Sequence, residues 1–149
     1  MNAKLLFLFI FFLTACKLED TRVENPQPRD VSGRWEGFIS GKLVPYVQVY
    51  IKGDGTGFAI ASNEEYAQLI LEFDSFRSAE KSFSITVYFL EDGERSDPEI
   101  LKGVLDSGEL CFYLPEDPDK EINPPFCFEK YKKINKYRKL ADKVYRKNK

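Results

Sequence analysis

The chain has 149 residues, with 22 Lys or Arg against 24 Asp or Glu, three cysteines and no histidine. Without an imidazole, neither a Ser–His nor a Cys–His nucleophile pair can be assembled, and a zinc site would have to draw on cysteines and carboxylates alone. Asp and Glu are numerous enough for carboxylate-pair chemistry of the glycosidase kind, but no spacing singles out a pair, so the sequence reads as a non-enzyme with no cofactor and no metal.

The first segment, "KLLFLFIFFLTACKLED", runs through nine apolar residues from Leu5 to Leu13. A membrane-spanning helix needs about 20, whereas a secretory signal needs a basic start, an apolar stretch of roughly 7 to 15 residues and small residues at the cut. Residues 1–15 fit a signal peptide, with Lys4, Leu5–Leu13 and Thr14-Ala15 in order. Leu13-Thr14-Ala15-Cys16 resembles the lipobox of bacterial lipoproteins. The resemblance implies cleavage before Cys16 and a lipid on its thiol. Lys17, rather than Asp, follows the cysteine; in a diderm host this implies an outer-membrane anchor with the domain facing the periplasm. Two or more acyl chains hold a protein durably to a bilayer. Residues 16–30, charged and with two prolines, are expected to form a flexible tether, having too little apolar area to offset the entropy of ordering.

From Val31 onward the length suits one domain. "GRWEGFIS" starts a series of short strands. In "YVQVYIKGDGTGFAIAS", Val47, Val49 and Ile51 alternate with Tyr46, Gln48 and Tyr50, and Asp54-Gly55 turns the chain into Phe58 and Ile60; alternation around Asp-Gly predicts a hairpin. A helical turn is expected at Asn63–Gln68. "LILEFDSF", "SFSITVYFLEDG", "EILKGVLD", "ELCFYL" and "PFCFE" complete about eight strands. Their close spacing predicts an all-β domain over residues 31–128, an antiparallel up-and-down barrel or a sandwich. Gly33-Arg34-Trp35 at its start resembles the Gly-x-Trp signature of lipocalins and related calycins. That resemblance implies that Gly33 and Trp35 close the floor of a barrel, with a basic side chain packed over the indole.

Parity pairs the two remaining cysteines. Leu110, Phe112 and Leu114 face the core, so Cys111 faces away; Phe126 and Phe128 face the core, so Cys127 faces away. Antiparallel pairing with Cys111 opposite Cys127 sets Phe112 against Phe126 and Leu110 against Phe128. In an oxidising envelope the pair is expected to form a disulfide. The intervening "PEDPDKEINPP" reads as an exposed loop. Asp117, Asp119 and Glu121 alternate like calcium ligands, but no Gly stands sixth and Phe128 occupies the twelfth place, where a bidentate Glu belongs.

Residues 129–149 carry ten Lys or Arg against Glu129 and Asp142. Tyr131, Ile134, Tyr137, Ala141, Val144 and Tyr145 recur at three- and four-residue spacing, which predicts an amphipathic basic helix. Its cations, Lys130, Lys132, Lys133, Lys136, Arg138, Lys139, Lys143, Arg146 and Lys147, are candidate contacts to an anionic envelope component; nucleic acid is not an expected partner. Tyr145-Arg146-Lys147 also resembles the end of the lipoprotein linked to peptidoglycan through its last lysine, although Asn148 and Lys149 follow here. The functional expectation is a lipid-anchored binding module taking an apolar small molecule or lipid in a calycin-like interior. The alternatives are a structural or interaction lipoprotein acting through its surface and basic helix, and an inhibitor of secreted hydrolases.

Overall fold

The computed structural model describes residues 20–38, 46–113, 125–132 and 136–149; the signal segment, Cys16, most of the acidic loop before Cys127, Lys133 and the side chain of Lys136 lie outside them. In chain order the elements are a short helix α1 (Pro28–Val31), strands β1 (Gly33–Phe38), β2 (Tyr46–Ile51), β3 (Gly57–Ser62), β4 (Ala67–Ala79), β5 (Ser82–Glu91), β6 (Glu94–Arg95), β7 (Glu99–Asp106), β8 (Glu109–Tyr113) and β9 (Phe126–Lys130), and helix α2 (Lys136–Asn148). Successive strands pair antiparallel, except that the two-residue β6 hangs on the edge of β5, which passes on to β7. β9 returns to β1, so eight strands close an up-and-down barrel; of the two all-β alternatives, the barrel forms.

Closure demands bending, and β4 supplies it. This strand of 13 residues shifts register against β3 at Ala59/Ile60 and against β5 between Asp74 and Arg77, where Ser75 adopts φ 54°. Such bulges sharpen the local bend and twist, allowing one strand to pair on both sides of a tight ring. The Asp54-Gly55 hairpin forms, with Val49 opposite Ala59. The Asp54 carboxylate holds the turn by accepting bonds from the Thr56 N–H (2.9 Å) and hydroxyl (2.7 Å).

Inward side chains fill the barrel. Phe76, Phe83, Phe112 and Phe128 form a chain of ring contacts with centroids 4.8, 5.8 and 6.2 Å apart, packed among Val49, Ile51, Ile85 and Val87. Phe83 lies across its strand partner Gly103: a Cβ on Gly103 would come within 2.3 Å of the ring. That glycine is the space the ring occupies.

Four expectations need correction. Asn63–Gln68 contains no helical turn: the Asn63 side-chain oxygen accepts from the N–H groups of Glu65 and Tyr66 (2.8 and 2.9 Å), and a tight turn leads straight into β4. This is the local side-chain bonding by which Asn outcompetes a helix. The β domain extends past Phe128, because Glu129 and Lys130 pair with Glu36 and Trp35, and Tyr131 N–H bonds the Arg34 carbonyl at 3.0 Å. The helix therefore spans Lys136–Asn148 rather than 129–149. Finally, the tether expected over 16–30 is seated on the barrel from Asp20 onward. Asp20 pairs with Lys81 (2.8 Å), Val23 N–H bonds the Leu105 carbonyl (2.9 Å), Asn25 N–H bonds the Glu80 carbonyl (2.7 Å) and Pro26 is buried. Backbone pairing and one buried ring offset the ordering entropy that composition alone leaves unopposed.

Candidate functional site

The two ends of the barrel differ in construction. At the end where β1 begins, α1 plugs the ring with Val31, which is fully buried. The Trp35 indole N–H donates to the Val31 carbonyl at 2.8 Å, and the Lys130 ammonium sits 4.0 Å from the ring centre while donating to the Ser32 carbonyl at 2.7 Å. Gly33 permits this: its φ of +118° suits glycine, and a Cβ there would meet the Lys130 Nζ at 3.0 Å. Desolvation above the indole lowers the Lys130 pKa. Gly33 and Trp35 thus stand where the floor was expected, and Lys130 is the basic side chain over it. Lys130 is accordingly a floor residue and not a contact on the helix surface.

At the opposite end, where residues 39–45 and 114–124 lie outside the described residues, exposed acids such as Glu65, Glu91, Glu94 and Glu99 stand among a few exposed apolar side chains. Phe38 closes β1, Tyr66 precedes β4 and Ile100 lies near the start of β7; they are the exposed large hydrophobics among the described residues, at 59%, 44% and 66% of their full exposure. Leu71, Phe89 and Phe126, on the inward faces of their strands, pack on the core yet remain only half-buried.

Helix α2 covers the outer face of β2, β3 and β4 through Ala141, Val144 and Tyr145, which meet Tyr46, Tyr50, Phe58 and Ile60. Beneath it lies a polar seam. The Arg34 guanidinium is sandwiched between Tyr131 and Tyr145, 3.9 Å from each ring centre, donates to Gln48 at 3.0 Å and ion-pairs with Asp142. Asp142 also accepts from Gln48 (3.1 Å) and the Tyr131 hydroxyl (2.9 Å). Arg138 grips both oxygens of Glu36, which further accepts from the Tyr46 hydroxyl at 2.8 Å. Burial, and then the bond to Glu36, push the Tyr46 pKa well up; burial likewise raises Tyr131 and Tyr145. Every oxygen of the two carboxylates is taken by a donor, which leaves neither available as a general base.

Of the expected cation set, Arg138 therefore belongs to the seam. Lys132 pairs with Glu129 at 3.0 Å, while Lys139, Lys143, Arg146 and Lys147 point to solvent; Lys133 and the Lys136 side chain lie outside the described residues. Sequence reasoning missed Arg34, Glu36, Gln48 and Asp142. The available signal was parity: Arg34 and Glu36 share the outward face of β1, Tyr46 and Gln48 that of β2, and Asp142 is the only acid after Glu129.

Cys111 and Cys127 form a disulfide with Cα atoms 4.0 Å apart, in the register Leu110–Phe128, Cys111–Cys127, Phe112–Phe126 that parity required. Glu109 stands beside them, but both sulfurs are bonded to each other and hold no thiolate for a metal. A groove of about 280 Å³ on the outer face, beside Asn148, is lined by Lys52, Asp74 and the Glu72–Arg95 ion pair. No family model, curated protein or solved structure matches this chain.

Proposed function

We propose that this chain is a non-catalytic binding module, exported and held to a bilayer by a lipid on Cys16, which receives an apolar group at the open end of a calycin-like barrel. The observation that carries the reading is the half-buried trio Leu71, Phe89 and Phe126, inward-facing side chains toward the end opposite the Trp35 floor. A concave, mostly apolar lining is the usual form of a small-molecule site. The Gly33-Arg34-Trp35 resemblance supports the calycin-like part, now joined by Lys130 over the indole. The aromatic chain Phe76–Phe83–Phe112–Phe128 fills the interior nearer the floor. What binds is thus an acyl tail or similar group held by Leu71, Phe89 and Phe126 at the mouth, not a ligand swallowed whole.

A fluorescent fatty acid titrated into the full chain tests this. Saturable binding is expected, weakened about tenfold by Leu71→Ser with Phe89→Ser, a cross-strand pair that lies outside the Phe76–Phe83–Phe112–Phe128 ring chain. Absence of saturable binding, or the same affinity in the double variant, overturns the apolar-ligand reading and favours a protein partner such as a secreted hydrolase.

A further inference from the structure

The helix and the N-terminal segment reach the same end of the barrel from different sides. Arg138 bonds Glu36 in mid-β1, Tyr145 packs on Tyr50 and Phe58 further down, and Asn148 lies beside Lys52 and Thr56 of the floor-side turn. α2 therefore runs from the open end to the floor and finishes with Arg146 and Lys147 in its last turn. Asp20 is fixed at this same end through Lys81 in the β4–β5 turn, and Arg22 pairs with Asp106 at the close of β7. In the ring, the helix covers β2, β3 and β4, while the N-terminal segment is seated from the β4–β5 turn to the close of β7.

At 100° per residue, Lys139, Lys143, Arg146 and Lys147 fall within about 100° of arc, opposite Ala141 and Tyr145. All four are exposed, and among the described residues none is ion-paired. Of the other cations of the floor end, Lys81 and Arg22 pair with Asp20, Arg29 with Asp30 and Lys130 sits over Trp35, while Lys52 in the floor-side turn is exposed beside Asn148. Of the acids at this end, Asp54 is turned into its own hairpin by the Thr56 bonds, Asp106 accepts from the Thr21 hydroxyl, and Glu24, Glu80 and Glu109 are exposed in the N-terminal segment, the β4–β5 turn and the start of β8.

We infer that the floor end faces the bilayer and that the terminal part of α2, Lys143, Arg146 and Lys147 with Lys149, rests on anionic phospholipid headgroups as a second attachment point beside the lipid anchor. The inference rests on lipidation of Cys16. From Cys16 to the fixed Asp20 the backbone reaches at most about 14 Å, at roughly 3.5 Å per residue. The floor is thus leashed near the headgroups, and cations at that end enter the range of about 8 Å over which charges act at physiological salt. Two attachments at separate points of the floor end set the orientation, holding the opposite end, with Leu71, Phe89 and Phe126, away from the membrane.

The test reconstitutes the full lipidated chain into vesicles of phosphatidylcholine alone or with phosphatidylglycerol, and follows hydrogen exchange of the segment from Ala141 to Lys149. Anionic vesicles should slow exchange by about tenfold or more, since each cation near such a surface contributes roughly a factor of five. The protection should vanish at 1 M salt and in Lys143→Gln/Arg146→Gln/Lys147→Gln, whose exposed positions leave the seam intact. Equal exchange in the two vesicle types, with Cys16 carrying its lipid by intact mass, overturns the headgroup contact alone. A Cys16 without lipid removes the leash and overturns both the anchor and the contact.

Discussion

Strand β2 is buried on both faces, by opposite means. Inward, Val47, Val49 and Ile51 join an apolar interior held by packing; outward, Tyr46, Gln48 and Tyr50 lie under α2 in a seam built from ion pairs and stacked rings. The first kind of contact is non-directional and supplies most of the stability. The second is directional: Arg34, Glu36, Arg138 and Asp142 fit in one arrangement, so the helix has one register on the barrel. Buried ion pairs contribute little net stability but are costly to break on one side, and the two faces should respond differently to mutation.

The interior should give the largest losses. Phe83 touches two other rings and fills the space above Gly103, so Phe83→Ala should cost about 3 to 5 kcal/mol by denaturant unfolding, with the lost transfer energy and the cavity adding. A cost under 1 kcal/mol would show that the interior rearranges freely.

Where no helix covers the outer face of β8 and β9, a covalent link stands in. Cys111→Ser/Cys127→Ser should lower stability by about 3 kcal/mol, the chain-entropy value for a loop of this size, against a separation of 16 residues. Thiol counting on the unfolded, unreduced protein should find neither cysteine free.

The seam comes next. Asp142→Ala leaves Arg34, Gln48 and Tyr131 without their acceptor and should cost about 2 to 3 kcal/mol. Replacing both charges, as Arg34→Met/Asp142→Leu, should recover much of that loss, because the desolvation of the pair disappears together with its attraction. Losses that simply add would indicate two independent contacts and no shared network. The tyrosines give a pH readout of the same seam. Tyr46, Tyr131 and Tyr145 hold their protons above the ordinary 10.0, chiefly through burial. Their contribution is complete below pH 10 and is lost as pH rises through the raised folded values. Tyrosinate absorbance from this set should appear only above pH 10 and rise together with loss of helix.

How much of this was legible in the sequence depends on range. The Asp54-Gly55 hairpin and the Cys111–Cys127 register follow from period-two alternation and turn chemistry, which act between neighbours. Gly33 and Trp35 were legible together for the same reason, since only Arg34 separates them. The helix boundary was misjudged because Tyr131 fits the apolar stripe, while the pairing of Glu129 and Lys130 with β1 depends on a strand nearly a hundred positions earlier. The seam escaped for the same reason. Arg34, Glu36 and Gln48 lie on the outward faces of β1 and β2, and only a helix from the far end of the chain makes those faces a buried seam. Counting the tail's cations as one class likewise hid that Lys130 and Arg138 have structural duties, which only their partners reveal.

The smallest effect belongs to the N-terminal segment, which sharpens the contrast because it is seated on the barrel with neither a deep core nor a saturated seam. Its charged fastener is Asp20–Lys81, at 2.8 Å and open to solvent. The Lys81 hydrogen bond lowers the Asp20 pKa below its usual 3.8, and Asp20 in turn raises Lys81 above 10.5. A carboxylate with a depressed folded value contributes fully above 3.8 and loses that contribution as pH falls through the lower value; a lysine with a raised value contributes fully below 10.5 and loses it as pH climbs through the higher one. The fastener therefore operates between about pH 4 and pH 10.5 and weakens outside that window. Exposed pairs of this kind are worth little, and salt screens them. The Val23 amide, bonded to the Leu105 carbonyl beside this fastener, is the reporter. Once corrected for intrinsic exchange, its protection should be flat within the window, fall at acid pH before the barrel unfolds, and drop slightly in Lys81→Gln or at high salt. If Val23 instead opens only with the whole barrel, the segment is held by Pro26 and its backbone bonds, and the ion pair is incidental to its seating.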